Sequence, residues 1–311
     1  MNKKLFDIPI LLITFNRPET TCLVFEQIRK LEPTHLYLFS DAPRSGNTED
    51  IDLVETCRCL LNDSQIDWTC HVERWFPETN MGCALGVSSA ISWAFESSER
   101  LIILEDDFFP QADFFSFCKS MLETYRDNDR IMHISGAHKS EKVEANDADH
   151  MFSHIAETGG WATWKYAWEK YDFWMEQLSD MKSQKLIQRL VRDKHISNYW
   201  HERFDRVFED GKKQNWEVQW QYTLFKNYGL AVVPTTHLVK DISGMLTFNA
   251  RHESDVEPSS DYPNGKLGSA AKGLAQNTLS RAQSQGQASL AARLLYKFSV
   301  MLGIARKESR I

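Results

Sequence analysis

Three consecutive carboxylates, Glu105-Asp106-Asp107, follow the apolar run Leu101-Ile-Ile-Leu104. Four apolar residues in a row read as a strand buried on both faces. Pro110 follows soon after and cannot continue a hydrogen-bonded ladder. The acids therefore fall at the carboxyl end of a central parallel strand, where open α/β sheets bind ligands. Adjacent anions repel unless protons, a cation or bound groups compensate. Hard carboxylate oxygens suit Mg²⁺ or Mn²⁺ carrying a diphosphate. A solvated acidic turn would leave the same trace, so the elements around the run must decide.

Those elements alternate. Pro9 to Phe15 is an apolar run, broken by Asn16-Arg17-Pro18, with Pro18 and Glu19 suited to the first turn of a helix. His35 to Ser40 reads as the second strand, and Asp41 to Asn47 as a turn-rich loop. A helix over Ile51–Leu61, a third strand over Asp67–Trp75 and a helix from Gly82 through Phe95 lead to the fourth strand, Leu101–Leu104. This order predicts an α/β, Rossmann-like fold: a mainly parallel sheet with right-handed crossovers, flanked by helices. Asn16-Arg17, Asp41 and the acidic run then line one edge of the sheet. Gly82 and Gly86 do not form a dinucleotide fingerprint, and no Walker loop is present.

Further on, a helix over Asp113–Tyr125 and a strand over Ile131–Ser135 are expected, with a loop over Lys139–His150. Trp161, Trp164 and Trp168 fall on helical spacing after two glycines. Core packing is expected for two of them, and a sugar-facing position for Trp161 at the loop. Leu186 to Val207 is helical in pattern, and Asn215-Trp216-Glu217 opens another helix that runs to about Phe225. Leu230–Val233 and His237–Asp241 read as strands.

The net charge of −7 argues against a nucleic-acid surface. No signal peptide and no transmembrane span are read, so a cytoplasmic protein with six reduced cysteines is expected. Residues 253–287 are rich in Ser, Gly, Gln and Ala and read as a linker. Residues 288–307 read as a basic amphipathic helical tail. It suits an anionic membrane surface at the inner face, or docking on its own domain or a partner subunit.

The order Asn16-Arg17-Pro18, Phe39-Ser-Asp41-Ala-Pro-Arg44, Ile102-Ile-Leu-Glu-Asp-Asp107, Gly159-Gly-Trp161-Ala-Thr-Trp164 and Trp216-Glu217-x-x-Trp220 resembles nucleotide-diphospho-sugar glycosyltransferases of the GT-A fold. The pattern resembles that of bacterial glycosyltransferase-family-2-like proteins and of the N-acetylglucosaminyltransferase I type. The resemblance covers about residues 8–252 and implies a GT-A domain over 1–252, ahead of the linker and the tail at 288–311. It implies that Asp107 binds Mn²⁺ (or Mg²⁺), that Asp106 faces the ribose and sugar, and that Glu105 hydrogen-bonds the donor sugar. Asn16 and Arg17 would lie near the nucleotide, and Asp41 would accept from the uracil N–H. Glu217 matches the inverting base, and His252 or His237 stands where some relatives place a further metal ligand. The implied activity is transfer of a sugar from a nucleotide-sugar, UDP first among them, to a glycan or lipid-linked acceptor in surface polysaccharide synthesis. A nucleotidyltransferase would need a glycine-rich loop after the first strand, which Asn16-Arg17-Pro18 is not. A silent sugar- or nucleotide-binding module would have no need of an acid at Glu217.

Overall fold

The computed structural model describes residues 5–137, 149–209 and 215–245. Alternating apolar and amphipathic stretches become strands and helices in turn: β1 (Ile10–Thr14), α1 (Pro18–Leu31), β2 (His35–Ser40), α2 (Thr48–Leu60), β3 (His71–Trp75), α3 (Gly82–Ala94) and β4 (Arg100–Glu105). Next come β5 (Phe108–Pro110), α4 (Phe114–Thr124), β6 (Ile131–Ser135), β7 (His150–Ser153), β8 (Trp161–Trp164) and the short α5 (Lys165–Trp168). The last described elements are α6 (Leu178–Ser183), α7 (Leu186–Val191), α8 (Lys194–Glu209), α9 (Trp216–Lys226), β9 (Leu230–Pro234) and β10 (Val239–Asp241).

Among the described residues, eight strands form one sheet in the order β3-β2-β1-β4-β8-β6-β9-β7. The first four run parallel, as do β6 and β9. Strand β8 enters antiparallel between β4 and β6, and β7 lies antiparallel beside β9. The fold is the α/β, Rossmann-like, mostly parallel sheet with flanking helices that the β-α alternation predicted.

Period-2 alternation divides the core into two layers. Ile10, Leu12, Leu36, Leu38, Ile102 and Leu104 pack with Val24, Phe25 and Ile28 of α1 and with α4. Leu11, Ile13, Tyr37, Phe39, Leu101 and Ile103 pack with Ala84, Val87 and Ile91 of α3 and with Trp216 and Trp220 of α9. Both faces of β1 and β4 are therefore covered, which explains why these strands carry unbroken apolar runs.

Four expectations are corrected. Trp161 and Trp164 lie in a strand, not a helix, because β8 fills the gap between β4 and β6. The helix expected over Leu186–Val207 is two helices, α7 and α8, parted at Arg192, whose φ of 53° is left-handed. The third strand is shorter than expected and begins at His71. Pro110 does not end the strand run outright: after a turn at Asp106-Asp107 the chain resumes as β5, which pairs antiparallel with β10 and closes at Pro110. A proline at the end of an edge pairing costs no ladder bond there. Gly160 has φ +73°, and a Cβ there would meet Val239 of β10 at 2.9 Å, so the glycine pair lets β10 sit close against the sheet. His252, the linker 253–287 and the tail 288–311 lie outside the described residues, as does most of the loop expected over Lys139–His150.

Candidate active site

Alternation along β4 sorts its terminal acids. Asp106 follows Ile102 and Leu104 towards α1. There its Oδ2 accepts from the Phe15 backbone N–H at 3.1 Å and the Thr21 hydroxyl at 3.4 Å, and its Oδ1 from Arg17 Nη1 at 3.2 Å. It is 4% exposed. Burial pushes its carboxyl up to about 6, against the opposing pull of Arg17. Glu105 follows Leu101 and Ile103 towards α3 and α9. Burial, reinforced by Asp107, Asp106 and Glu217, holds it well above the usual carboxylate range. Asp107 sits in the turn after β4 and accepts from Arg17 Nη1 at 2.6 Å. Burial raises its carboxyl, Arg17 opposes this, and Asp241 adds to it. One guanidinium thus bridges Asp106 and Asp107.

Glu217 lies in the first turn of α9, where an acid complements the positive end of the helix dipole. Its buried neighbours Trp216 and Trp220 anchor that turn in the α3-side core. Its Oε1 lies 3.7 Å from Nη2 of Arg203 on α8, and its side chain keeps 34% of its surface exposed. Its charge is felt by Glu105 and by Cys83. Cys83, exposed in the first turn of α3, has its thiol pushed up to about 12 by its surroundings, then by Glu105, Glu217 and Asp107. The end of β4, the start of α3 and the start of α9 therefore converge on one acidic locus.

Of the residues singled out in the sequence, Arg17, Glu105, Asp106, Asp107 and Glu217 are coupled by ion pairs or charge, and the others are engaged elsewhere. Asn16 turns to α2, donating from Nδ2 to Oδ1 of Asp50 at 2.9 Å. Asp41 is 7% exposed, and its oxygens accept from the backbone N–H groups of Ala42, Met81 and Gly82 and from Asn80 Nδ2. It caps the start of α3, with its lone pairs taken up within the chain. Trp161 is a correction: it has no exposed surface, and its ring stacks on His133 at 4.8 Å and on Trp216 at 5.7 Å. A sugar cannot reach it. His237 is exposed in the approach to β10.

Two residues at the locus escaped sequence reasoning. Asp241 ends β10, and β10 is tied to the acidic turn by the Ile242 N–H donating to the Asp107 carbonyl at 2.8 Å. The only sequence signal for it was an acid closing a short apolar stretch. Cys83 gave no signal.

A hard divalent cation, if bound here, would be held by these acids. Glu105, Asp106 and Asp107, with Asp241 alongside, set several carboxylates against Arg17, and all three residues of the run have carboxyls raised by burial. Among the described residues no three of these acids bring oxygens within 4.8 Å of one another. An open set of this kind suits a metal that arrives on phosphate oxygens and keeps its waters, rather than a closed protein cage. A groove of about 610 Å³ runs along α3 between Trp75, Trp93, Phe173 and Trp174, and its Tyr171 end feels the charge of Glu217.

No protein-family profile matches the chain, and no curated protein matches it. Among solved structures the chain is similar to S. aureus TarS in complex with UDP-GlcNAc, at 11% identity over 45% of this chain and 37% of that one, with a TM-score of 0.31. It is similar to HddC from Yersinia pseudotuberculosis at 12% identity, over 41% of this chain and 58% of that one, with a TM-score of 0.27. It is similar to 4-diphosphocytidyl-2C-methyl-D-erythritol synthase from Anaerococcus prevotii at 15% identity, over 53% of this chain and 76% of that one, with a TM-score of 0.30. The chain spans less than two thirds of the first two of these proteins. None of the three likenesses is close enough to carry a functional argument, which rests on the site.

Proposed function

We propose that the protein is an inverting, metal-dependent glycosyltransferase that moves a sugar from a nucleotide-sugar to a hydroxyl of a glycan or lipid-linked acceptor. The observation that carries this reading is the convergence of the acids at the end of β4 on Glu217 at the start of α9. Asp107, with Asp241 beside it, would hold Mn²⁺ or Mg²⁺, which supplies charge neutralisation for a departing diphosphate. Arg17 pairs with Asp106 and Asp107 and presents its guanidinium at the same place, suited to phosphate oxygens. Glu105, whose carboxyl burial and its acidic neighbours raise above the usual carboxylate range, hydrogen-bonds a hydroxyl of the donor sugar. Glu217 removes the proton of the acceptor hydroxyl as that oxygen attacks from the face opposite the diphosphate. The aromatic groove along α3 offers flat apolar faces to a glycan acceptor. UDP is the first nucleotide to test. Because Asp41 is engaged with α3, base selection falls to other groups.

The experiment is to incubate the protein with a panel of nucleotide-sugars and Mn²⁺ and to measure nucleotide release with and without bacterial glycan acceptors. Acceptor-stimulated, chelator-sensitive release of nucleoside diphosphate supports the reading. Pyrophosphate formation from a nucleoside triphosphate and a sugar phosphate would replace it with a nucleotidyltransferase. Binding with no turnover across the panel would leave a binding module.

A further inference from the structure

We propose that His35, His71 and Glu73 form a second metal site, for Zn²⁺ or a similar late first-row divalent ion, at the amino-terminal end of the sheet. His35 opens β2 and His71 opens β3, and the two are direct partners in the parallel register. Glu73 lies two residues along β3, so period 2 places it on the same face as His71. The three residues are the one group of three His, Cys, Asp or Glu side chains among the described residues whose ligand atoms all lie within 4.8 Å of one another. Oε1 of Glu73 is 3.0 Å from His35 Nε2 and 3.5 Å from His71 Nε2.

Those separations suit a shared ion. Zinc binds imidazole nitrogen and carboxylate oxygen at about 2.0–2.2 Å, which in tetrahedral geometry sets neighbouring ligand atoms about 3.3–3.5 Å apart. The observed pair of distances brackets that range, so a small shift, chiefly of the exposed His71, seats the ion. Two imidazoles and one carboxylate favour zinc, copper, nickel or cobalt over magnesium, calcium or manganese. The ligands are braced. The His35 ring stacks on Tyr37 at 4.4 Å and meets the His71 ring edge-on at 4.7 Å. Oε1 of Glu73 accepts from the Ser97 hydroxyl at 3.4 Å, and Ser97 is in turn 2.7 Å from the Tyr37 hydroxyl. Partners of this kind orient metal ligands. The His71 side chain is 69% exposed, which gives an ion an entry path and leaves water to complete its coordination.

The position of the site defines its role. Strand β3 is the sheet's edge and pairs with β2 alone among the described residues. An ion held by one ligand from β2 and two from β3 staples that edge. The site lies a strand's length from the acids at the other end of the sheet, so the two metal sites are separate and select different ions.

The test uses the full chain stripped of metal, with thiols blocked by alkylation so that cysteines cannot compete for zinc. Calorimetric titration with Zn²⁺, in the presence of excess Mg²⁺, is run on the wild type, on His71→Ala, on Glu73→Gln and on Asp107→Asn. The expected result is one zinc equivalent in the wild type and in Asp107→Asn, lost in His71→Ala and in Glu73→Gln. Zinc should raise the melting temperature of the wild type but not of the two ligand variants, whose metal-free melting matches that of the wild type. No zinc uptake by the wild type, or an undiminished equivalent in both ligand variants, overturns the proposal. His71 and Glu73 are surface positions, so both variants are expected to fold.

Discussion

Asp50 and Asp106 are equally hidden, at 1% and 4% exposure, yet their carboxyls move in opposite directions. Asp50 receives Arg44 in a two-pronged contact, Nε to Oδ2 at 2.6 Å and Nη2 to Oδ1 at 2.8 Å, with Asn16 Nδ2 at 2.9 Å and the Arg44 backbone N–H at 3.2 Å besides. These donors, Arg44 first, hold it below the usual carboxylate range. Asp106 shares one guanidinium with Asp107 and stands beside further acids, so desolvation prevails. Asp50 has an arginine to itself and locks the loop after β1 to that after β2, whereas Asp106 shares Arg17 with Asp107. In the proposed function a cation from outside would join Arg17 there.

The largest effect expected of this contrast is on turnover. Glu217→Gln should lower acceptor-dependent transfer by about two to four orders of magnitude while donor binding holds, as expected for removal of a general base. Near wild-type transfer by the pure variant would take the base elsewhere. Next, Asp107→Asn should abolish the gain in nucleotide affinity that Mn²⁺ gives the wild type in calorimetry. An unchanged difference with and without Mn²⁺ would mean that the metal does not use Asp107. Asp50→Ala should act the other way round. Loss of its charged hydrogen bonds should lower unfolding stability in urea by about 1–3 kcal/mol without touching the Mn²⁺ response. If it alters the metal response instead, the two regions are not independent.

Acid titration sharpens the same comparison, because the two carboxyls have opposite linkage signs. For Asp106, raised from 3.8 to about 6, the native state holds the proton more tightly than the unfolded chain. The stability it contributes is present below the unfolded value and lost as pH rises through about 6. For Asp50, lowered from 3.8, the contribution is present above that value and lost as pH falls through the lower folded one. Urea midpoints of metal-free protein should show both limbs. Asp106→Asn should shrink the first, to which Glu105 and Asp107 also contribute, and Asp50→Asn should shrink the second. The smallest effect is at Cys83: its thiol, raised to about 12, should alkylate slowly near neutral pH, and a bound donor should slow it further. Alkylation at the rate of an ordinary exposed thiol would remove the acids from its surroundings.

The parallel half of the sheet was legible because each strand is a short apolar run closed by turn residues. His35–Ser40 and Ile131–Ser135 matched to the residue. The acids at 105–107 were legible for the same reason, since a doubly covered strand leaves its end as the only place for charge. Trp161 misled because three tryptophans in eight positions fit a helix as well as a strand followed by one helical turn, and local spacing cannot see the slot between β4 and β6 that made the choice. Asp41 carried the residue type of a nucleobase acceptor, but its partners at Met81 and Gly82 are forty residues distant and follow from how α3 docks. Asp50 and Asp241 were hidden for a similar reason: Asp50 matters through Asn16 in the loop after β1, and Asp241 through the pairing of β10 with β5 that sets it near Asp107.

The carboxylate of Asp41 at the start of α3 has a further effect. The amino end of a helix is ordinarily a ready anion receptor, with free N–H groups and a positive dipole end facing outward. Here Asp41 already occupies the N–H groups of Met81 and Gly82, and its negative charge offsets that dipole end from within the fold. In the proposed function, a diphosphate brought to the acids beside Cys83 would gain little attraction from α3. Its charge would be left to Arg17 and to an ion brought from solution, which would make chelation, rather than added salt, the sensitive way to empty such a site.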